Sequence, residues 1–435
     1  MNKFIKLAKK AGIEEVLVTK SVGEKTTISS FERVVEKVIK KCISHYSIYA
    51  VYEGKKISLH TENFSSDCYQ EIIEKIKQQA AFTLTDEYAP VCCPKQKYSS
   101  VNVNKDDYED FTIFQKKLIV DKIEKLVAKD PLVLKCEGVD YGESKSNSRL
   151  VNSNNLNLHD SSSSVCVSVC ATVGDKESEP ENFSYGKEFH KIENLDVKKF
   201  VNKFLKLAKS RIGAAPAPTG FYKTVFSPEC FASLLECFIS KFTGLALYRN
   251  VSPFVGKVNT KLFSEKLTIE ETPRHNKAFH QYVYDGQGVA CTKKKIINNG
   301  VFETVITSLY SARKLNLPLT GNGFGDVDDY TNLLIKPGKH SKKEILKEVS
   351  NGIYLTGLDG LHAGVNAITG DFSLKCEGFL IENGEISKPV KMMIVSGNFY
   401  KMLNDITFLG KKLKSFSDGW ILPVIAFGEL AYSGK

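Results

Sequence analysis

The chain has 435 residues, 42% hydrophobic and 25% charged, so it is too long for one ordinary core and too apolar to stay disordered; two to three domains are expected. Its net charge of +10 is spread thinly, and the short runs Lys293–Lys295 and Lys411, Lys412, Lys414 read as solvated faces without the interleaved aromatics of a nucleic-acid surface. The opening MNKFIKLAKKAG has no apolar stretch of the secretory kind, and no later run approaches the roughly 18 residues of a membrane span. A cytoplasmic protein with reduced thiols is therefore expected.

In chain order, residues 2–12 fit an amphipathic helix with Phe4, Leu7, Ala8 and Ala11 on one side. Strand-like sequence follows at 15–29 and 38–60, with a hairpin turning at Glu53-Gly54. Ile72, Ile73, Ile76 and Ala80 predict a helix near 66–82, which completes an N-terminal α/β unit over 1–85. A polar connector spans 84–108. Residues 110–128 have helical spacing, 131–175 alternate as antiparallel strands, and the serine run 161–164 is expected to turn. Residues 176–192 read as an exposed loop, and a helix near 196–210 closes a central strand-rich unit over 109–210. The small-residue, proline-containing segment 211–220 is the predicted boundary.

The last unit, 221–435, opens with a strand at 221–226 and a strongly signalled helix. Ser227 can cap it, Pro228 suits its first position, and Phe231, Leu234, Leu235, Phe238, Ile239 and Phe242 make one apolar stripe. Ser341 and Glu344 form the pattern of a capping box for a helix at 342–350. The remainder, including INNGVF and ITGDFSLKCEGFLIENGEI, reads as strands and glycine turns. The fold class is α+β: an N-terminal α/β unit plus a C-terminal domain of mainly antiparallel strands with a few helices.

No chemical motif stands out. In Val165-Cys-Val-Ser-Val-Cys170 the cysteines share one strand face but lie about 13 Å apart, too far for one ion. Gly321-Asn-Gly323-Phe-Gly325 has glycine spacing but no following helix, so a turn is expected rather than a dinucleotide loop. The eight histidines are scattered. His275, His280 and Asp285 are the one cluster that a hydrolase could use. Thr320, Gly321 and Asn322 are a candidate substrate or partner loop, with a tight structural turn as the other reading.

Several segments nevertheless follow one another in a familiar order: Asp285-Gly-Gln-Gly-Val289, Ile296-Ile-Asn-Asn-Gly-Val301, Ser311-Ala-Arg-Lys-Leu315, Leu319-Thr-Gly-Asn322 and Asn332-Leu-Leu-Ile-Lys-Pro-Gly338. Gly352-Ile-Tyr-Leu-Thr356, Asn366-Ala-Ile-Thr-Gly-Asp-Phe-Ser373, Glu382-Asn-Gly384, Ser396-Gly-Asn398 and the final Ser433-Gly-Lys435 continue the series. In this the chain resembles the TldD/TldE (PmbA) family, known as modulators of DNA gyrase and as peptidases. Two departures are plain: Val258-Asn-Thr-Lys-Leu262 replaces a serine-rich turn, and Gln287 stands where an acidic residue is common.

The resemblance implies two branches. TldD-type chains look like zinc metallopeptidases, with His-Glu-x-x-x-His on a helix and a cysteine ligand near the C-terminus. Here the corresponding helix reads Leu234-Leu-Glu-Cys-Phe-Ile-Ser-Lys241, no histidine occurs from 191 to 274, and the last cysteine is Cys376. The resemblance thus points to the TldE/PmbA branch: no catalytic residue and no metal or other cofactor in this chain, with zinc in a TldD-type partner subunit. The implied complex is cytoplasmic and degrades or trims unfolded or modified peptides. Two alternatives remain open, a stand-alone homodimeric binding or regulatory protein, and a hydrolase using His275, His280 and Asp285.

Overall fold

The structure, a computed structural model, describes residues 1–32, 34–86, 88–100 and 106–435. Parts of the expected connector, residues 87 and 101–105, lie outside the described residues. Two compact units emerge. The first takes Met1–Lys95 and, after a short insertion from the other unit, the described residues through Gly213; the second takes that insertion, which starts at Gln96, and Ala214–Lys435.

The first unit contains α1 (Asn2–Lys10), β1 (Glu15–Phe31), β2 (Val34–Tyr52), β3 (Lys55–Thr61), α2 (Tyr69–Ala81), α3 (Ile113–Val127), β4 (Val133–Asn152), β5 (Asn157–Val173), β6 (Glu181–Phe189) and α4 (Val197–Lys209). The strands form one antiparallel sheet in the order β3-β2-β1-β4-β5-β6. The expected units 1–85 and 109–210 therefore both contribute strands to a single sheet. Its period-2 pattern puts Val16, Val18 and Ile28 of β1 on the face that also carries Tyr141 and Val151 of β4. The helices pack against that face in two groups. Phe4, Ile72, Ile73 and Ile76 of α1 and α2 cover one patch, and Val120, Ile123, Phe200 and Phe204 of α3 and α4 cover another. Glu53 and Gly54, at φ 51° and 66°, make the tight turn between β2 and β3, where it was expected.

Two expectations fail here. The serine run 161–164 is not a turn but the middle of β5, with Ser164 opposite Ser144 and Ser162 opposite Ser146. The turn falls instead at Asn155, φ 61°. Serine is tolerated in the strand because much of this stretch is only half-buried, so polar side chains cost little there. The predicted loop 176–192 contains β6, whose residues pair with 165–173 of β5. Its polar alternation, with Asn182, Ser184 and Glu188 on one face and Phe183, Tyr185 and Phe189 on the other, is that of a half-exposed edge strand.

The second unit begins with β7 (Gly220–Phe226), α5 (Pro228–Ile239), α6 (Gly244–Tyr248), β8 (Thr260–Lys261), β9 (Ile269–Glu271), β10 (Lys294–Asn298), β11 (Val301–Phe302) and α7 (Leu309–Leu315). It continues with β12 (Gly323–Phe324), β13 (Val327–Asp328), β14 (Leu333–Ile335), α8 (Lys342–Val349), β15 (Gly352–Asp359), β16 (Asp371–Glu382) and β17 (Glu385–Asn398). It ends with α9 (Phe399–Met402), β18 (Ile406–Leu409), β19 (Lys414–Ser415), β20 (Trp420–Leu422) and β21 (Ile425–Ser433). One sheet has the order β17-β16-β15-β7-β21-β18, and β21 also pairs with β17, so five strands close on themselves. The other sheet runs β19-β20-β14-β9-β10-β11-β8. Between β10 and β11 the Asn299-Gly300 turn has φ of 48° and 81° at its two centres.

α5 sits where these sheets share a core. Ser227 accepts the Cys230 N–H, as its position predicts, and Pro228 occupies the first turn. Phe231, Leu234, Leu235 and Phe238 are buried among Phe226, Leu355 and Phe427 of one sheet and Ile269, Leu333 and Trp420 of the other. Phe238 stacks on Phe399 with centroids 4.2 Å apart. The stripe is therefore packing, and within α5 only Glu229, Ser233 and Glu236 are exposed.

Candidate functional site

The outward face of α5 carries Glu236, with Cys237 beside it and Lys241 a turn later. Burial, then the charges of Asp418 and Asp329, holds the Glu236 carboxyl above the usual carboxylate range. Burial also raises Asp329, with Glu271 adding to the effect. Tyr330 completes the cluster: its phenol is raised by burial and by Glu236, Asp329 and Asp418, and its ring lies 4.9 Å from that of Trp420. These residues come from α5, from the approach to β14 and from the turn before β20, which pairs in parallel with β14. The result is a strongly acidic corner.

This donor set does not suit a zinc centre of the family's kind. Cys237 donates its thiol to the Ser233 carbonyl at 3.5 Å and is held protonated by burial and by Glu236. Glu236 and Cys237 are adjacent, about 100° apart around the helix. Lys241 brings a positive charge. Among the described residues no group of three His, Cys, Asp or Glu is placed to hold a metal ion.

Behind the corner lies a buried polar network that the sequence reading did not find. Glu271, fully buried at the end of β9, receives the Lys294 ammonium at 2.6 Å on one oxygen. Its other oxygen accepts Asn322 Nδ2 at 2.7 Å, the Thr331 N–H at 2.8 Å and the Thr331 hydroxyl at 2.7 Å. Lys294 also donates to Asn322 Oδ1 at 2.9 Å. Lys294 is thus no part of a solvated lysine face, whereas Lys293 stays largely exposed and pairs with Glu270. Alternation along β10 was the available signal: it sets Lys294 and Lys295 opposite Glu271 and Glu270.

The candidate loop is placed within this scaffold. Thr320 is buried, accepts the Thr307 N–H at 2.7 Å and donates to the Thr307 carbonyl at 3.0 Å. Gly321 has φ +74°, and a Cβ there would stand 2.5 Å from the Ala290 carbonyl. Asn322 is fully buried in the Glu271 network. Asp285 takes the N–H groups of Gln287 and Val289 on one oxygen and that of Gly323 on the other, at 2.7–2.9 Å. Burial pushes its carboxyl up to about 7 against the opposing effect of those donors and of Lys294. Both Asp285 oxygens are thus engaged by backbone, and His275 Nδ1 accepts the Lys277 N–H. His280 lends its carbonyl to Asn332. Gln287, the residue that departs from the family pattern, accepts the Leu309 N–H at 2.9 Å at the start of α7.

Comparison with known proteins agrees with this architecture. Residues 219–434 match the PmbA/TldA metallopeptidase C-terminal domain, and residues 106–212 match the central domain of the same family. A metalloprotease PmbA homolog of Buchnera aphidicola is 30% identical over 260 residues, 59% of this chain and 57% of that protein. The aligned region thus spans a little over half the length of that relative. The crystal structure of a putative modulator of a DNA gyrase from Thermotoga maritima superposes with a TM-score of 0.90 at 26% identity, covering 99% of each chain. TldE from Thermococcus kodakarensis shares the fold, with a TM-score of 0.88 at 22% identity over 100% of each chain. The chain belongs to the PmbA/TldD family of metallopeptidase-like proteins. No helix among the described residues is long and apolar enough to cross a membrane.

Proposed function

We propose that this chain is the non-catalytic, TldE/PmbA-type subunit of a cytoplasmic zinc metallopeptidase complex that trims unfolded or modified peptides. The observation that carries the reading is the chemistry of α5. Where a TldD-type chain would present two imidazoles and a glutamate, this helix presents Glu236 and Cys237, with Lys241 just past its end and Asp329 and Asp418 near Glu236. A zinc-activated water needs neutral imidazole or thiolate ligands and an open coordination position. A carboxyl raised by partial burial and by like charges, next to a half-buried thiol that burial also raises, is a poor substitute.

The same corner suits a different role. Three clustered carboxyl groups attract a cationic group from a substrate or a partner, and the ordered loops behind them keep that charge in place. In this reading the TldD-type partner supplies the zinc, and this subunit supplies part of the surface over which a peptide is held.

The test is metal content and peptide hydrolysis of the purified chain, alone and co-expressed with a TldD-type partner. The expected outcome is no stoichiometric metal and no cleavage alone, with about one zinc per pair and activity in the complex. Stoichiometric zinc and peptide cleavage by the isolated chain would overturn the proposal and favour a stand-alone hydrolase.

A further inference from the structure

The six-stranded sheet of the first unit ends in β3 and the long flank of β2 on one side and in β6 on the other. An end strand offers a row of unpaired N–H and C=O groups, and proteins that stay monomeric guard it with charges, bulges or proline. The first side is guarded. β3 covers β2 only from Tyr46 to Tyr52. The rest of that edge carries a bulge at Glu36, between the partners of Ser29 and Ser30, and the exposed side chains of Lys37, Lys40 and Lys41.

β6 has none of these devices. Its nine residues, Glu181–Phe189, pair with β5 without a register shift. Asn182-Phe-Ser-Tyr-Gly186 at its centre carries neither charge nor proline. Among the described residues no backbone hydrogen bond joins Asn182 to Phe189 with anything but β5, so alternate N–H and C=O groups of this stretch face outward without a backbone partner. The strand is also fixed from behind: Phe183 stacks with Phe204 at 5.9 Å and Tyr185 packs against Phe200 at 5.2 Å, both on α4.

This edge is complementary to itself. When two copies of β6 run antiparallel about a two-fold axis at Ser184, Glu181 of each stands opposite Lys187 of the other, and no like charges meet directly. Phe183 then stands opposite Tyr185 on the helix-bearing face, and Asn182 opposite Gly186 on the other. Opposite charges and aromatic pairs are the cross-strand contacts that stabilise antiparallel sheets. We propose that β6 is a homodimer interface, through which two copies of this chain join their first-unit sheets edge to edge. The occupant is a second copy because one register about one axis satisfies both ends of the strand at once. The inference concerns the first unit alone and does not depend on the metallopeptidase reading.

The test is sedimentation velocity of the full chain, without any partner, from low micromolar to a few hundred micromolar, repeated with Ser184→Lys and Ser184→Glu. A reversible dimer of the parent chain is expected. Each variant sets a like charge against itself on the axis and should dimerise at least about tenfold more weakly. Mixed in equal amounts, the two variants set Lys against Glu, and the dimer should return. Ser184 is exposed in the single chain, so at a dilution where the parent is monomeric both variants should melt with it, which separates lost pairing from lost folding. A parent chain that stays monomeric throughout would overturn the proposal. Variants that dimerise as well as the parent, or a mixture that remains monomeric, would overturn it as well.

Discussion

Two single residues have consequences that can be measured directly. Asp285 has a carboxyl raised from 3.8 to about 7 by burial. The folded chain therefore holds that proton more tightly than the unfolded chain. Its contribution to stability is complete below about pH 4 and is lost as pH rises through about 7. Urea unfolding should show a lower midpoint at pH 8 than at pH 5, and Asp285→Asn should flatten that difference. A wild-type midpoint at pH 8 equal to or above that at pH 5 would mean that the three backbone donors keep the carboxylate ionised. Glu271 poses a sharper case, because its removal strands the Lys294 ammonium, whose side chain is 9% exposed. Glu271→Ala should cost about 3–5 kcal/mol, as for breaking one side of a buried pair. Urea denaturation measures it, and a loss below about 1 kcal/mol would mean that water reaches Lys294.

α5 shows how one element divides its labour. Its inward stripe anchors both sheets, so Phe238→Ala should destabilise the chain by about 3–5 kcal/mol through the cavity left against Phe399. Its outward face should behave oppositely. Glu236 has like charges nearby, and Glu236→Gln should change stability by no more than about 0.5 kcal/mol, in the stabilising direction. Comparing the two melting temperatures tests the division, and a large loss from Glu236→Gln would give that carboxylate a structural partner. The Asn299-Gly300 turn is a second element with a clear requirement. At φ +81° a Cβ on Gly300 would stand 2.1 Å from the Phe263 carbonyl. Gly300→Ala should therefore destabilise by more than the roughly 1 kcal/mol gained from backbone entropy at a compatible site.

For the whole molecule, two units with separate cores contain the described residues. The second holds the acidic corner and its buried support. The first holds one sheet with an open edge at β6. All eleven cysteines are free thiols, so no covalent link fixes either unit. Packing and the closed strand arrangement of the second unit must do so, and reducing agent should leave the melting temperature unchanged. A drop in melting temperature on reduction would reveal a disulfide formed in solution.

The sequence determined what depends on neighbours along the chain. The caps at Ser227 and Ser341, the apolar stripe of α5 and the turns at Glu53-Gly54 and Asn299-Gly300 are each set by local geometry, and the structure has them where the residues put them. The absence of imidazoles from α5 is likewise a property of the sequence. Tertiary structure alone decided what depends on distant partners. The serine run could be a turn or a strand until β4 came alongside β5, because a small polar side chain fits either at a half-buried position. β6 needed the edge of β5 to become a strand at all. Lys294 looked like one lysine of a solvated run until the pairing of β9 with β10 placed Glu271 opposite it. Asp329 and Asp418 lie far from Glu236 in sequence, and only the parallel pairing of β14 with β20 brings their turns together beside α5. A buried charge or a shared corner is a fact about the whole fold, because burial and long-range pairing exist only once the chain has closed on itself.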